Sequence, residues 1–350
     1  MRIMRLKKWV LIFPVFIAAM VGCNNSVSTA TAIPTIQSVS ETATPTLPIV
    51  TEQVDTPTNP NNWYSHPDSN PDALEKSYGI LNSGQVPIYE TLEDAVDRGE
   101  QYRLAPEPPA YLAYDQTQTM DGIMYVHLTD GGWMSKADLE PVTVTSFSGL
   151  IISEVPSHPF GWVVTDTTGW TNSQADESSG MVHSRYEVLS VLEEDRGFAR
   201  IETGDWLPIS DLALVDLRMI TTRPSSSCRW VDIDLSAQTL VAFDSCQPVF
   251  ATLISSAKAP AVTPLGTFSI FYKEEKLPLF ANERVASSKG FYLADVPWLM
   301  FFHENWAIHG TYWHDRFGEP WSHGCVNVSP YDARWLYEWS KLGDMIVVHE

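Results

Sequence analysis

Cys325 lies in Trp321-Ser322-His323-Gly324-Cys325-Val326-Asn327, and His309 lies upstream in Ile308-His309-Gly310. A cysteine becomes a nucleophile when a neighbouring base takes its proton or stabilises its thiolate. Two imidazoles are at hand: His323, two residues away, and the more distant His309. The small residues Gly310 and Gly324 would let an acyl substrate approach the backbone. A metal is the rival reading, because His309, His314, His323 and Cys325 could all ligate zinc, although their spacing matches no common short zinc pattern. A third reading makes them inert core residues.

The other cysteines narrow the choice. The chain has four. Cys228 and Cys246 are equidistant from the turn Ser236-Ala237-Gln238, between the strand-like runs Trp230–Leu235 and Thr239–Phe243. Such a pair faces across a hairpin and is expected to form a disulfide, the alternative being two buried thiols. Cys23 ends an apolar leader. Cys325 is left unpaired, and a lone thiol in an exported chain calls for a use.

The elements that must position these groups are also legible. The aromatic run Trp298–Phe302 reads as a buried strand or wall before His309. After Cys325, Ser329 could cap a helix that has Pro330 at its first position and Asp332 three residues beyond the cap. Ala333, Trp335, Leu336 and Trp339 supply its apolar face, Gly343 is expected to end it, and Met345–Val348 reads as a terminal strand.

The region resembles the L,D-transpeptidase catalytic domain, the YkuD-like family. The resemblance rests on Ile308-His309-Gly310, thirteen intervening residues, and Ser322-His323-Gly324-Cys325-Val326-Asn327, with support from Pro264-Leu265-Gly266-Thr267-Phe268. It covers residues 226–350 and implies a mostly β, sandwich-like domain with a short helix. By resemblance, Cys325 is the nucleophile and His309 the base, oriented by the Gly310 carbonyl. His323 lines the site, and the N–H groups of Gly324 and Cys325 meet the oxyanion. Ser322 and Asn327 support the loop, Asn327 standing where many relatives have Arg. The implied substrate is a peptidoglycan stem peptide, with no metal, nucleotide or organic cofactor. Residues 281–298 are expected as a lid, with Tyr292 and Trp298 lining a groove or serving equally as core. His314 and Asp315 read as a solvated turn, the alternative being a polar cluster at the site mouth.

Residues 77–219 are short β runs broken by Gly, Asp, Asn and Pro, an all-β signature. Tyr125–Met134 recurs as Phe198–Leu207 at an offset of 73, and Asp138-Leu139 recurs as Asp211-Leu212. The repeat resembles bacterial SH3-like domains, implying two small β-barrel modules, 77–145 and 153–220, whose Trp133 and Trp206 are expected in the cores. The whole is thus expected to be mostly β.

Arg2, Arg5, Lys7 and Lys8 precede the apolar run Trp9–Val21 and then Gly22-Cys23. This reads as a lipoprotein signal (1–22) with Cys23 lipidated, followed by a Ser/Thr/Pro-rich linker (23–76) tethering the protein to a membrane on the side of the cell wall. There are 22 Lys and Arg against 43 Asp and Glu, a net charge of -21, which argues against nucleic acid as a partner. The oligomeric state is not encoded in any of these signals. The expected activity is cysteine-dependent crosslinking with release of D-alanine. The alternatives are an L,D-carboxypeptidase or other wall-peptide thiol hydrolase, and a non-catalytic wall-binding lipoprotein.

Overall fold

The computed structural model describes residues 63–68, 74, 76–222, 224, 227–281 and 290–350. The expected signal, Cys23, and residues 23–62 of the linker lie outside the described residues. Strands dominate, with two α-helices, Leu92–Asp97 and Pro330–Trp339, among the described residues.

The C-terminal part is two sheets face to face. One runs in the order Tyr64–Ser65, Leu150–Ile152, Gln247–Leu253, Thr239–Asp244, Trp230–Asp234, Met345–His349, Gly266–Ser269. The other carries Val326–Val328, Trp306–Gly310 and the long strand Phe291–His303, which also pairs with Tyr272–Ala281. Alternate residues of a strand share a face. Val231, Ile233, Leu240, Ala242 and Phe250 from the first sheet therefore meet Met300, Phe302, Ile308, Val326 and Val328 from the second in one buried core. Trp230–Asp234 and Met345–His349 run parallel, so the chain's last strand is central in its sheet. Cys228 and Cys246 are joined at the open end of the hairpin, their Cα atoms 4.4 Å apart.

The helix begins as expected. Ser329 Oγ accepts from the Asp332 N–H, and Pro330 opens the first turn. Its end differs. The helix stops at Trp339 with Ser340 in extended backbone, and the Ser340 N–H closes on the Leu336 carbonyl. Gly343, at φ +89°, instead turns the chain into the last strand, its N–H donating to the Ile270 carbonyl.

Three expectations about the upstream chain are corrected. The linker does not extend to residue 76, because Tyr64–Ser65 pairs with Ile151–Ile152 and Trp63 packs edge-on against Phe160. Trp63 and Tyr64 are large aromatic groups at the end of a polar tract, and burying them offsets the entropy of ordering that stretch. The two upstream modules are open sheets and not closed barrels. In the first, Ala110–Tyr111 pairs in parallel with Tyr292–Leu293, so its sheet runs on into the C-terminal one.

The third correction concerns the tryptophans. The repeat itself is structural: Gly131 and Gly204 both have positive φ (+95° and +99°) and close matching turns, Gly131 N–H to Leu128 and Gly204 N–H to Ile201, each at 2.9 Å. The strands Trp133–Ser135 and Trp206–Pro208 then alternate. Their middle residues, Met134 and Leu207, are fully buried in the two module cores. Trp133 and Trp206 lie on the opposite face, half-buried, across from His127 and Arg200.

Candidate active site

His309 lies in the strand Trp306–Gly310, which pairs in parallel with Val326–Val328. Ile308 is opposite Val326 and His309 opposite Asn327. The inward residues of this pair, Ile308 and Val326, anchor it in the core, leaving His309 and Asn327 to face the other way. Cys325 stands one residue before the second strand.

His309 is only 2 % exposed. Its Nδ1 lies 3.2 Å from the Gly310 carbonyl oxygen, which can only accept. The ring proton therefore sits on Nδ1, and Nε2 keeps a free lone pair. Burial holds the imidazole down to about 4, so it is neutral near pH 7. The Trp313 ring lies 5.7 Å away.

Cys325 is free and partly exposed. Its thiol turns toward the start of the His309 strand, 3.8 Å from the Asn305 carbonyl. Burial of the sulfur pushes the thiol up to about 11, against a smaller opposing hydrogen bond from the Ala307 backbone. Both groups are thus uncharged at rest. A neutral thiol on the loop before Val326 and a neutral imidazole with an open Nε2 on the adjoining strand suit proton transfer concerted with attack, not a standing thiolate–imidazolium pair.

The cysteine loop is tightly bound. Ser322 Oγ donates to the Cys325 carbonyl (2.6 Å) and accepts from the Gly324 N–H (3.1 Å). The Gly324 N–H expected at the oxyanion is thereby committed to the loop. Ser322 could reach both groups because Gly324 adopts φ +145°, and a Cβ there would lie 2.8 Å from Trp306 Nε1. Thr263 Oγ1 donates to the Gly324 carbonyl (2.8 Å) and accepts from the Ala257 N–H (3.0 Å). Gln238 in turn holds Ser256, whose carbonyl takes the Trp321 and Ser322 N–H groups. Neither Thr263 nor Gln238 was evident from the sequence; the position of Thr263 just before Pro264-Leu265-Gly266 is the one signal that could have marked it.

His314 departs from its expected place in a solvated turn. Burial holds it down to about 3, and its Nδ1 accepts from the Arg316 N–H (3.1 Å). That donor fixes the ring proton on Nε2, which lies 3.0 Å from the side-chain amide of Asn327. Asn327 Nδ2 is the atom placed there, so the amide must be turned over to present its carbonyl oxygen to the ring. The ring is thus half-buried between two partners, while Asp315 and Arg316 beside it remain exposed.

The remaining expected residues fall as follows. His323 is exposed, its ring 5.1 Å from Phe291. Residues 291–298 belong to one sheet strand and are not a lid, and residues 282–289 lie outside the described residues. Trp298, half-buried, packs on the helix beside Tyr337 at the edge of the core. Tyr292 is held in the seam with the first module, opposite Ala110. The groove role thus gives way to packing for both, while Phe291 takes the place beside the loop. Trp321 carries Lys258 Nζ 3.9 Å and Arg316 Cζ 4.2 Å from its ring centre, a positive strip next to the cysteine loop. His309, His314, His323 and Cys325 do not gather as one ligand set: among the described residues no group of three or more His, Cys, Asp or Glu is placed to hold a metal ion.

Residues 229–348 match the family model described as YkuD, the L,D-transpeptidase catalytic domain. This stretch is a YkuD domain. Solved structures similar to the chain include a mutant of the Enterococcus faecium L,D-transpeptidase (22 % identity, TM-score 0.33), covering 35 % of this chain and 50 % of that one. An L,D-transpeptidase from Stackebrandtia nassauensis is 27 % identical, with TM-score 0.30 and coverage of 37 % and 58 %. One from Mycobacterium smegmatis is 21 % identical, with TM-score 0.34 and coverage of 46 % and 82 %. The match thus spans about half the length of the first two. A comparison with curated proteins finds no match. The YkuD domain holds His309, the cysteine loop and the helix after it.

Proposed function

We propose that the protein is an L,D-transpeptidase acting on peptidoglycan stem peptides, with Cys325 as nucleophile and His309 as base. The observation that carries this reading is the His309 ring, pinned at Nδ1 by the Gly310 carbonyl and open at Nε2, on the strand beside a free cysteine.

Cys325 gives its proton to His309 Nε2 as sulfur attacks the carbonyl between the diamino residue and the terminal D-alanine. The Cys325 N–H meets the developing oxyanion. The imidazolium returns the proton to the departing nitrogen, D-alanine leaves, and a thioester remains. The side-chain amine of a second stem then attacks it, losing its proton through His309, and the thiol is restored. Water as acceptor would give an L,D-carboxypeptidase by the same steps.

The basic, apolar leader ending at Cys23 supports an exported lipoprotein, held to a membrane through its anchor and facing the wall. The two upstream modules are proposed as SH3-like, on the strength of their shared turn and repeat. A non-catalytic wall-binding role would leave the cysteine loop's hydrogen bonds without purpose.

Incubation with a disaccharide-tetrapeptide and separation of the products tests the assignment. Crosslinked dimers with free D-alanine support transfer. Tripeptide stems alone would reassign the protein as a hydrolase, and no D-alanine at all would leave only the binding role.

A further inference from the structure

Thr311 to Ser322 joins the base strand to the cysteine loop, and residues upstream of the YkuD domain hold it from several directions. Tyr78 of the first module stacks on Tyr312, with ring centres 3.6 Å apart. Arg185 of the second module donates to the Phe317 carbonyl (3.3 Å) and lies 3.8 Å from Glu319. Val164 lies so close to Gly318 that a Cβ there would be 2.5 Å from it.

Asp315 is the centre of this grip. Its Oδ1 accepts from Thr145 Oγ1 at 2.6 Å and from the Tyr186 hydroxyl at 3.0 Å. Thr145 Oγ1 already accepts from the Phe147 N–H, which leaves its own proton for Asp315. The Tyr186 ring is held at a fixed angle by Phe147, 4.5 Å away, and Phe147 also stacks on Phe317. The residue before Asp315 is His314, whose ring meets Asn327, which in turn lies opposite His309.

We propose that Asp315 is a positioning residue of the cysteine site: held by Thr145 and Tyr186, it sets the turn that presents His314 to Asn327, so both upstream modules are working parts of the catalytic unit. This rests on Cys325 and His309 being the catalytic pair. Simple docking of modules would use the same contacts, but it would not govern the state of the His314 ring or the reactivity of Cys325.

The test uses the full chain with 15N-labelled histidines. Thr145→Val, Tyr186→Phe and their double variant remove hydroxyls without removing bulk, and Thr145→Ser restores one. The parent is expected to show His314 with its proton on Nε2. In the double variant the His314 signals should move toward a mixture of tautomers. Alkylation of Cys325 by iodoacetamide at pH 7.5 should change at least threefold, and Thr145→Ser should match the parent. Unchanged His314 signals and alkylation in the double variant would overturn the proposal, whatever happens to the melting temperature. If the double variant does not fold, Tyr186→Phe alone is read by the same two criteria. A parent that releases no D-alanine from any stem peptide would sink the functional reading, while these two readouts would still decide the role of Asp315.

Discussion

His309 and Asn327 face each other across a parallel strand pair, and Cys325 stands two residues before Asn327. The proposed base and nucleophile are therefore set by one strand register. A slip of that register by one residue would turn His309 into the core and Ile308 out of it. Burial favours the neutral form of both groups, so the pair proposed to react is neutral thiol with neutral imidazole.

The pH dependence follows from that pairing. His309, held at about 4, gains a proton and loses its base function only in strong acid, while Cys325, pushed up to about 11, stays protonated through neutral pH. Acylation rate should be flat from about pH 5.5 to 9, with its acid limb centred near 4. Stopped-time assays of D-alanine release across this range check it. An acid limb centred between 6 and 7 would show that burial does not depress the imidazole, and a fall in rate above about pH 8 would show that the resting pair is ionic.

Ser322 joins the Gly324 N–H to the Cys325 carbonyl. Ser322→Ala should leave both groups unpaired, at a cost of about 1–3 kcal/mol in loop order. The acylation rate should fall on the order of 10- to 100-fold, with the melting temperature lower by a few degrees. A variant as fast as the parent would show that the hydroxyl has no part in holding the thiol.

Asp332 is buried at the start of the helix, accepting from the Gly149 N–H (2.7 Å) and Thr252 Oγ1 (2.6 Å). Burial pushes its carboxyl up to about 6, so the folded state binds this proton more tightly than the unfolded one. Its contribution to stability is complete below about pH 4 and is lost as pH rises through 6, amounting to about 3 kcal/mol. Asp332→Asn can keep both bonds, because the Thr252 hydroxyl can turn to accept. Relative to the parent, the variant should be more stable at pH 8, keep about half of that advantage at pH 5 and lose it by about pH 4, read as melting temperatures side by side. A constant difference across that range would remove the titration from the account.

The repeated modules give a packing contrast. Leu207 is fully buried and Trp206 is half-exposed on the other face. Leu207→Ala should cost about 2–5 kcal/mol, whereas Trp206→Ala should cost clearly less. Denaturant melts rank the two, and the reverse order would return Trp206 to the core.

Much of this was legible in the sequence because it is local. Ser329-Pro330 with Asp332 spells a helix start, and Cys228 with Cys246 spells a hairpin, within a few residues of chain. The cysteine motif is also short, and its resemblance carried His309 with it. What escaped depends on distant partners. His314 and Asp315 read as a polar turn because Asn327, Thr145 and Tyr186 are not neighbours in sequence. Trp298 and Tyr292 read equally as groove or core because a strand's second face can be assigned only once the helix and the first module are placed against it. The tryptophan repeat was recognised, but the three-residue strand after each glycine turn buries its middle residue, and hydrophobicity alone favoured the larger side chain.

The central claim is that the sulfur of Cys325 carries the acyl group. The direct measurement is the intact mass of the protein, quenched in acid within a few turnovers of adding a disaccharide-tetrapeptide, followed by mapping of the modified peptide. The expected result is a mass gain equal to the donor less D-alanine, placed on Cys325 and absent from Cys325→Ala and at most a trace in His309→Ala. D-alanine release by Cys325→Ala at the parent's rate, or an acyl group mapped to any other residue, would contradict it.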